Sequence, residues 1–153
     1  MSTEIKTIHG ITLITLQSSP AKVSFIADVL DMIAERNINI DMISMAPTHG
    51  AVTSLSFTIS DADLVKVLGF ASELRKAMDI KTIISSVNHK ISVFDPAMKN
   101  TPGIAARIFK AIKGTDADIR LITTSEIEIS LLVNEADFDS VLLALEKEFN
   151  LHS

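Results

Sequence analysis

Displaced against itself by 79 positions, the segment FIADVLDMIAERNINIDMISM (Phe25 to Met45) falls on IAARIFKAIKGTDADIRLITT (Ile104 to Thr124). Few residues are identical, but the apolar pattern recurs. Phe25, Val29 and Ile33 match Ile104, Ile108 and Ile112, at the spacing of four that puts each set on one helix face. Ile40, Met42 and Ile43 match Ile119, Leu121 and Ile122, a run suited to a strand. Farther along the displacement falls to 74, where SFTISDADL (Ser56 to Leu64) meets SLLVNEADF (Ser130 to Phe138). The difference places an insertion near APTHG (Ala46 to Gly50), whose Pro47 to Gly50 reads as a turn. A chain with this self-similarity contains one supersecondary unit twice.

Each unit reads β-α-β-β-α with room for a closing strand. In the first, strands are expected near Ile11 to Leu16, Ile38 to Met45, Val52 to Ile59 and Ile80 to Ser85, and helices near Ser24 to Glu35 and Asp61 to Ala77. In the second, strands are expected near Lys90 to Phe94, Asp118 to Thr123 and Ile127 to Val133, and helices near Gly103 to Lys113 and Glu135 to Phe149. Ser60 and Asn134 sit at equivalent places and are good N-caps, with Asp63 and Asp137 three residues on, a weaker form of the capping box. The pattern predicts an α+β fold of two ferredoxin-like (βαββαβ) domains, each an antiparallel sheet with helices on one face. The expected domains are residues 1–86 and 87–153. The second has little chain left for a fourth strand, so the spare β-capable segment 4–9 pairs beside it, or a partner chain fills that edge.

Composition narrows the chemistry. With 47% apolar residues among 153, the chain can bury a core. It has no Cys, which removes disulfide scaffolds, thiolate zinc sites and a thiol nucleophile. A net charge of −5, with no Trp or Tyr, argues against nucleic acid as a partner. No run is long and apolar enough for a membrane span, and the N-terminus lacks a signal-peptide core; the expected location is cytoplasmic. No phosphate-cradling loop, Ser-His-Asp set or metal-ligand spacing is present, so neither cofactor nor metal is expected. His9 and His89 occupy nearly equivalent places before a strand. Paired histidines suggest a metal or pH switch, against the plainer reading of polar residues at strand starts.

The stretch DIRLITTSEIEISLLV (Asp118 to Val133) alternates in its second half like a half-buried strand. Its TTSE puts a polar and acidic cluster where a hairpin needs only a turn. With TPGIAARIFKAI (Thr101 to Ile112), NINIDMIS (Asn37 to Ser44) and LSFTIS (Leu55 to Ser60), it resembles the tandem ACT domains at the C-terminus of aspartokinases, from about Gly10 to Phe149. The kinase catalytic domain of that family is absent from these residues. The resemblance implies a regulatory module, not catalytic by itself, that binds lysine or threonine at ACT interfaces. It implies a kinase catalytic domain as a partner, and the exposed sheet edges of such small units call for a homodimer. The first unit departs from the pattern: SSPAKVSF displaces Pro20, and Ser24 stands where the second unit has Gly103.

The residues the resemblance marks for the ligand are Ser24, Phe25, Ile26, Asp41, Met45 and Ala46 in the first unit, and Thr101, Gly103, Ile104, Thr124, Ser125 and Glu126 in the second. The chemistry suits an amino acid. A helix start presents N–H groups and a positive dipole end to its carboxylate. Gly103 lets the backbone approach closely. Thr124 and Ser125 offer hydroxyls, and Glu126 or Asp41 can receive its ammonium. Arg120 stands at the repeat position of Asp41, as a binding group or a solvated charge. The alternative reading of TTSE is that it shapes the turn. The alternatives for the whole chain are a dimerisation module without ligand and a small enzyme on the same fold.

Overall fold

The computed structural model describes residues 3–151. Its elements run β1 (Glu4–Pro20), α1 (Val23–Glu35), β2 (Ile43–Met45), β3 (Val52–Ser60), α2 (Leu64–Met78), β4 (Lys81–Phe94), α3 (Ile104–Ile112), β5 (Ile119–Thr124), β6 (Glu128–Asn134) and α4 (Glu135–Glu148). Short 3-10 turns precede α2 and α3 at Asp61–Asp63 and Pro96–Lys99, and Lys113–Thr115 follows α3. The chain forms two compact units: Gly10–Ser86, and the residues through His9 with those from Val87 on.

In the unit 10–86 the strand order is β2-β3-β1-β4. β1 and β3 run antiparallel with Ile14 opposite Phe57 and Leu16 opposite Leu55. These join Phe25, Val29 and Ile33 of α1 and Val67, Phe70 and Leu74 of α2 in one core. The helix faces follow from the spacing of three and four along each helix. Arg36 ties the two helices, donating to the Met32 carbonyl and to Glu73, each at 2.9 Å.

In the other unit the order is β1-β4-β6-β5. Ile91 lies opposite Leu131 and Val93 opposite Ile129. The core joins them to Ile104, Ile108 and Ile112 of α3 and Phe138, Val141 and Leu145 of α4. The N-terminal part of β1 belongs to this unit: Ile5 packs against its core, and Thr3 Oγ1 donates to Asp95 at 2.9 Å. Both units are α+β and ferredoxin-like.

Several local expectations are corrected. The segments at Ile80 to Ser85 and Lys90 to Phe94 are one strand, β4. It passes from one unit to the other at Val87, whose φ of 59° is unusual for a β-branched residue; β1 passes back at Gly10, φ 70°. The strand expected from Ile38 keeps only its last residues, Ile43–Met45. Before it, the Met42 N–H donates to Thr58 Oγ1 at 2.9 Å while the Asp41 N–H donates to the Thr58 carbonyl at 3.1 Å, so a side chain interrupts the ladder. Ser60 and Asn134 do cap, accepting from Ala62 N–H at 3.2 Å and Asp137 N–H at 2.9 Å. The Asp137 carboxylate, however, accepts from Asp118 N–H at 3.0 Å, tying α4 to the entry of β5.

Candidate functional site

α1 and α3 start differently from α2 and α4. The turn before α2 and the start of α4 carry side-chain caps from Ser60 and Asn134. Neither Lys22 before α1 nor Gly103 before α3 supplies one, so the two repeat-equivalent helix starts keep N–H groups that no cap side chain covers. Gly103 has φ 97°, and a Cβ there would meet nothing within 4 Å. The left-handed backbone favours glycine there, and the open space leaves the Gly103 backbone accessible to a ligand. Ser24, at the repeat position of Gly103, already lies inside α1, which starts at Val23 after an extended Lys22 (φ −83°, ψ 139°), so the first unit needs no left-handed residue there.

The second unit gathers its predicted residues at one end of the sheet. Phe94 pairs with Glu128. Beyond them Asp95 N–H donates to the Ile127 carbonyl at 2.9 Å, and Ser125 N–H donates to the Glu128 carbonyl at 2.8 Å. Asp95 also accepts from Ala97 N–H at 2.9 Å, capping the turn that leads to Thr101 and Gly103. Lys99, on that turn, lies 3.6 Å from Glu126. The loop before α3 and the TTSE segment therefore meet, and Glu126 already has a cation beside it. Thr101, Gly103, Thr124, Ser125 and Glu126 are exposed; Ile104 is buried, so its side chain belongs to the core and it offers the backbone alone.

The first unit brings together all but one of its predicted residues. Ala46 N–H donates to the Ser54 carbonyl at 2.9 Å, Thr53 Oγ1 donates to the Ala46 carbonyl at 2.5 Å, and Ser19 Oγ donates to the Thr53 carbonyl at 3.1 Å. This links the end of β2, Met45 and Ala46, across β3 to the end of β1 and the approach to α1. Ser24 is exposed, Ile26 half-buried and Phe25 buried. Asp41, exposed, lies two residues before β2, at the end away from Met45 and at most about 13 Å from it at about 3.3 Å per extended residue. Its repeat counterpart Arg120 lies 3.4 Å from Asp118.

Four residues near these sites escaped the sequence reading: Lys22, Asp28, Asp95 and Lys99. Lys99 and Asp95 lie on the turn between Phe94 and the TPG motif, where only the fold reveals their partners. His9 and His89 come together in the second unit, Nδ1 to Nδ1 at 3.1 Å, each packed on the Phe138 ring. Among the described residues no group of three or more His, Cys, Asp or Glu side chains is placed to hold a metal ion. No helix among them is long and apolar enough to cross a membrane.

Comparison with known proteins agrees with this fold. The ACT domain family model matches residues 91–149. An aspartokinase from Bacillus sp. strain MGA3 is 27% identical over 142 residues, covering 92% of this chain and 34% of that protein. The chain thus spans about a third of the length of the curated relatives it matches. In the crystal structure of aspartokinase alpha and beta subunits, a chain 28% identical superposes with a TM-score of 0.83, covering 99% of this chain and all of that one. The regulatory subunit of aspartate kinase from Thermus flavus is 25% identical with a TM-score of 0.85, over 95% of this chain and 96% of that one. The same fold, at 21% identity and a TM-score of 0.71, covers 95% of this chain and 32% of E. coli aspartokinase III, solved with lysine and aspartate. The matched length is that of a regulatory subunit, and the chain is not by itself the kinase. It carries an ACT domain over residues 91–149 and resembles the aspartokinase regulatory region over nine-tenths of its length.

Proposed function

We propose that the chain is an allosteric module that senses a free amino acid, lysine or threonine, as part of an aspartokinase. The observation that carries this reading is the pair of repeat-equivalent helix starts without a side-chain cap, α1 and α3, each tied to the end of a strand. Such a start suits the ligand carboxylate. Ser24, the backbone of Phe25 and Ile26, and the strand end at Met45 and Ala46 form the first-unit site. Thr101, Gly103, the backbone of Ile104, Thr124, Ser125 and Glu126 form the second.

The position of Asp41 gives the reading a further requirement. The carboxylate and α-ammonium of an amino acid share one carbon, so one ligand does not reach both α1's start and Asp41 of the same unit. Asp41 therefore serves a ligand held by a second copy, and the site needs a homodimer. The sheet edges support this. β2 ends the strand order of the first unit, with Ile43 and Met45 about half exposed, and an open edge with apolar side chains calls for a partner. A kinase catalytic domain is the further partner that the relatives suggest.

A thermal-shift panel of the twenty amino acids tests the reading. Lysine or threonine at a hundred times its dissociation constant adds about 2.7 kcal/mol by mass action. A flat panel would favour the dimerisation module without ligand.

A further inference from the structure

The far end of α2 turns on one residue. Asp79 takes a left-handed backbone, φ 54°, and its N–H donates to the Arg75 carbonyl at 3.2 Å, a common way to close a helix. The chain then enters β4 at Lys81. The turn brings an exposed stripe of α2 and its cap, Ser72, Arg75 and Asp79 at the spacing of three and four, beside Lys81 and Thr82.

These five residues line a cavity of about 610 Å³, within the range of small-molecule sites, roughly 300–1,000 Å³. No residue of the helix-start sites is on its lining. Ser72, Arg75, Asp79 and Lys81 are exposed, and among the described residues none of their side chains has a hydrogen-bond or ion-pair partner. Thr82 differs. Its Oγ1 is buried, and among the described residues it is the one buried side-chain polar atom without a hydrogen-bond partner. Buried hydroxyls are nearly always paired, so this one calls for a partner from outside the chain.

The fold needs neither cation. A basic residue favours a helix C-terminus, but Lys76, in the same last turn, meets that demand without lining the cavity, and Lys81 lies beyond the helix. The repeat gives an internal control. A displacement of 74 puts Phe149 in the place of Arg75 and Glu146 in the place of Ser72, and Phe149 is part of its unit's apolar core. The polar lining is thus a feature of the first unit and not of the repeated architecture. Two cations against the one carboxylate of Asp79 leave an excess of positive charge. A monocarboxylate would leave one cation unmatched, whereas a dianion uses both. The Arg75 fork can meet a carboxylate or phosphate with two N–H groups, and Lys81 adds a point charge. A phosphate monoester carries about −1.5 to −2 near neutral pH, and a dicarboxylate is comparable.

We propose that this cavity is a further ligand site, separate from the helix starts, for a small hydroxylated dianion, either a phosphate monoester or a dicarboxylate. Arg75 and Lys81 hold its negative charge, Thr82 donates to one of its oxygens, and Asp79 accepts from its hydroxyl.

The test is isothermal titration of glycerol 3-phosphate and of L-malate, at fixed ionic strength, into the unmodified protein, Arg75→Gln, Lys81→Gln, Thr82→Val and Lys76→Gln, with thermal melts confirming that the variants fold. At least one of the two compounds should saturate, weakened about tenfold or more in Arg75→Gln and in Lys81→Gln; the tighter one identifies the phosphate ester or the dicarboxylate. Thr82→Val keeps the shape and removes the hydroxyl, so it should weaken binding without lowering the unliganded melting temperature. Lys76→Gln removes an equal charge outside the lining and should bind as the unmodified protein does. The proposal is overturned if neither compound saturates, if Arg75→Gln binds unchanged, or if Lys76→Gln loses as much affinity as Arg75→Gln, the mark of net charge alone.

Discussion

Glu126 shows how much one residue's role depends on a neighbour that the sequence does not place beside it. From TTSE alone it is a carboxylate at a strand end. In the fold it lies 3.6 Å from Lys99, with its side chain 74% exposed, so the pair contributes little to stability. An arriving ammonium replaces one cation by another. Glu126→Gln keeps the size and removes the charge. It should weaken ligand binding by about 1.5–3 kcal/mol and change unliganded stability by less than about 0.5 kcal/mol. Titration calorimetry and a denaturant melt on the same variant read both quantities. If TTSE only shapes the turn, Ser125→Ala and Glu126→Gln will move stability and leave affinity alone. Other residues were legible in part. Gly103 was marked for the approach of a ligand to its backbone, and the fold adds a second demand for glycine, its φ of 97°. Phe25 and Ile104 were marked for the ligand, but their side chains are buried.

At the scale of elements, the four helices follow from their apolar spacing because tertiary burial and local pattern agree. The strands were legible in place and less so in extent. The Ile38 to Met45 run is apolar enough for a strand, but Ile38 and Met42 are buried, and Thr58 uses its hydroxyl in the ladder's place. Nothing in a strand's own residues reports that competition. Val87 interrupts the pattern of β4 without ending it, because its positive φ lets the chain change units and continue. The caps were readable from residue type alone, whereas the destination of the Asp137 carboxylate was not. The N-cap bond from Asp137 N–H to Asn134 at 2.9 Å gives a clean test. Asn134→Ala should cost about 1 kcal/mol, seen as a lower denaturant midpoint with the slope unchanged. Because that cap lies on α4, away from the loop before α3, ligand affinity should stay the same.

For the molecule as a whole, the separation of Asp41, just before β2, from Met45 at its end makes regulation and assembly one question. A site completed by a second copy predicts a dimer whose stability rises with ligand, since anything that binds the assembled form favours it. Light scattering across a dilution series should show the dimer persisting to lower concentration with lysine or threonine present. A monomer at every concentration, with and without ligand, would remove Asp41 from the site. That α1 and α3 form matched starts was legible from the repeat; that Asp41 lies before β2 and not within a strand needed the fold.

Isothermal titration of the intact protein and its Asp41→Asn variant with lysine and with threonine tests the central claim most directly. The account predicts saturable binding of one of them, weakened about tenfold or more in the variant by loss of a hydrogen bond to a charged group. Heats that stay flat for both amino acids would contradict it.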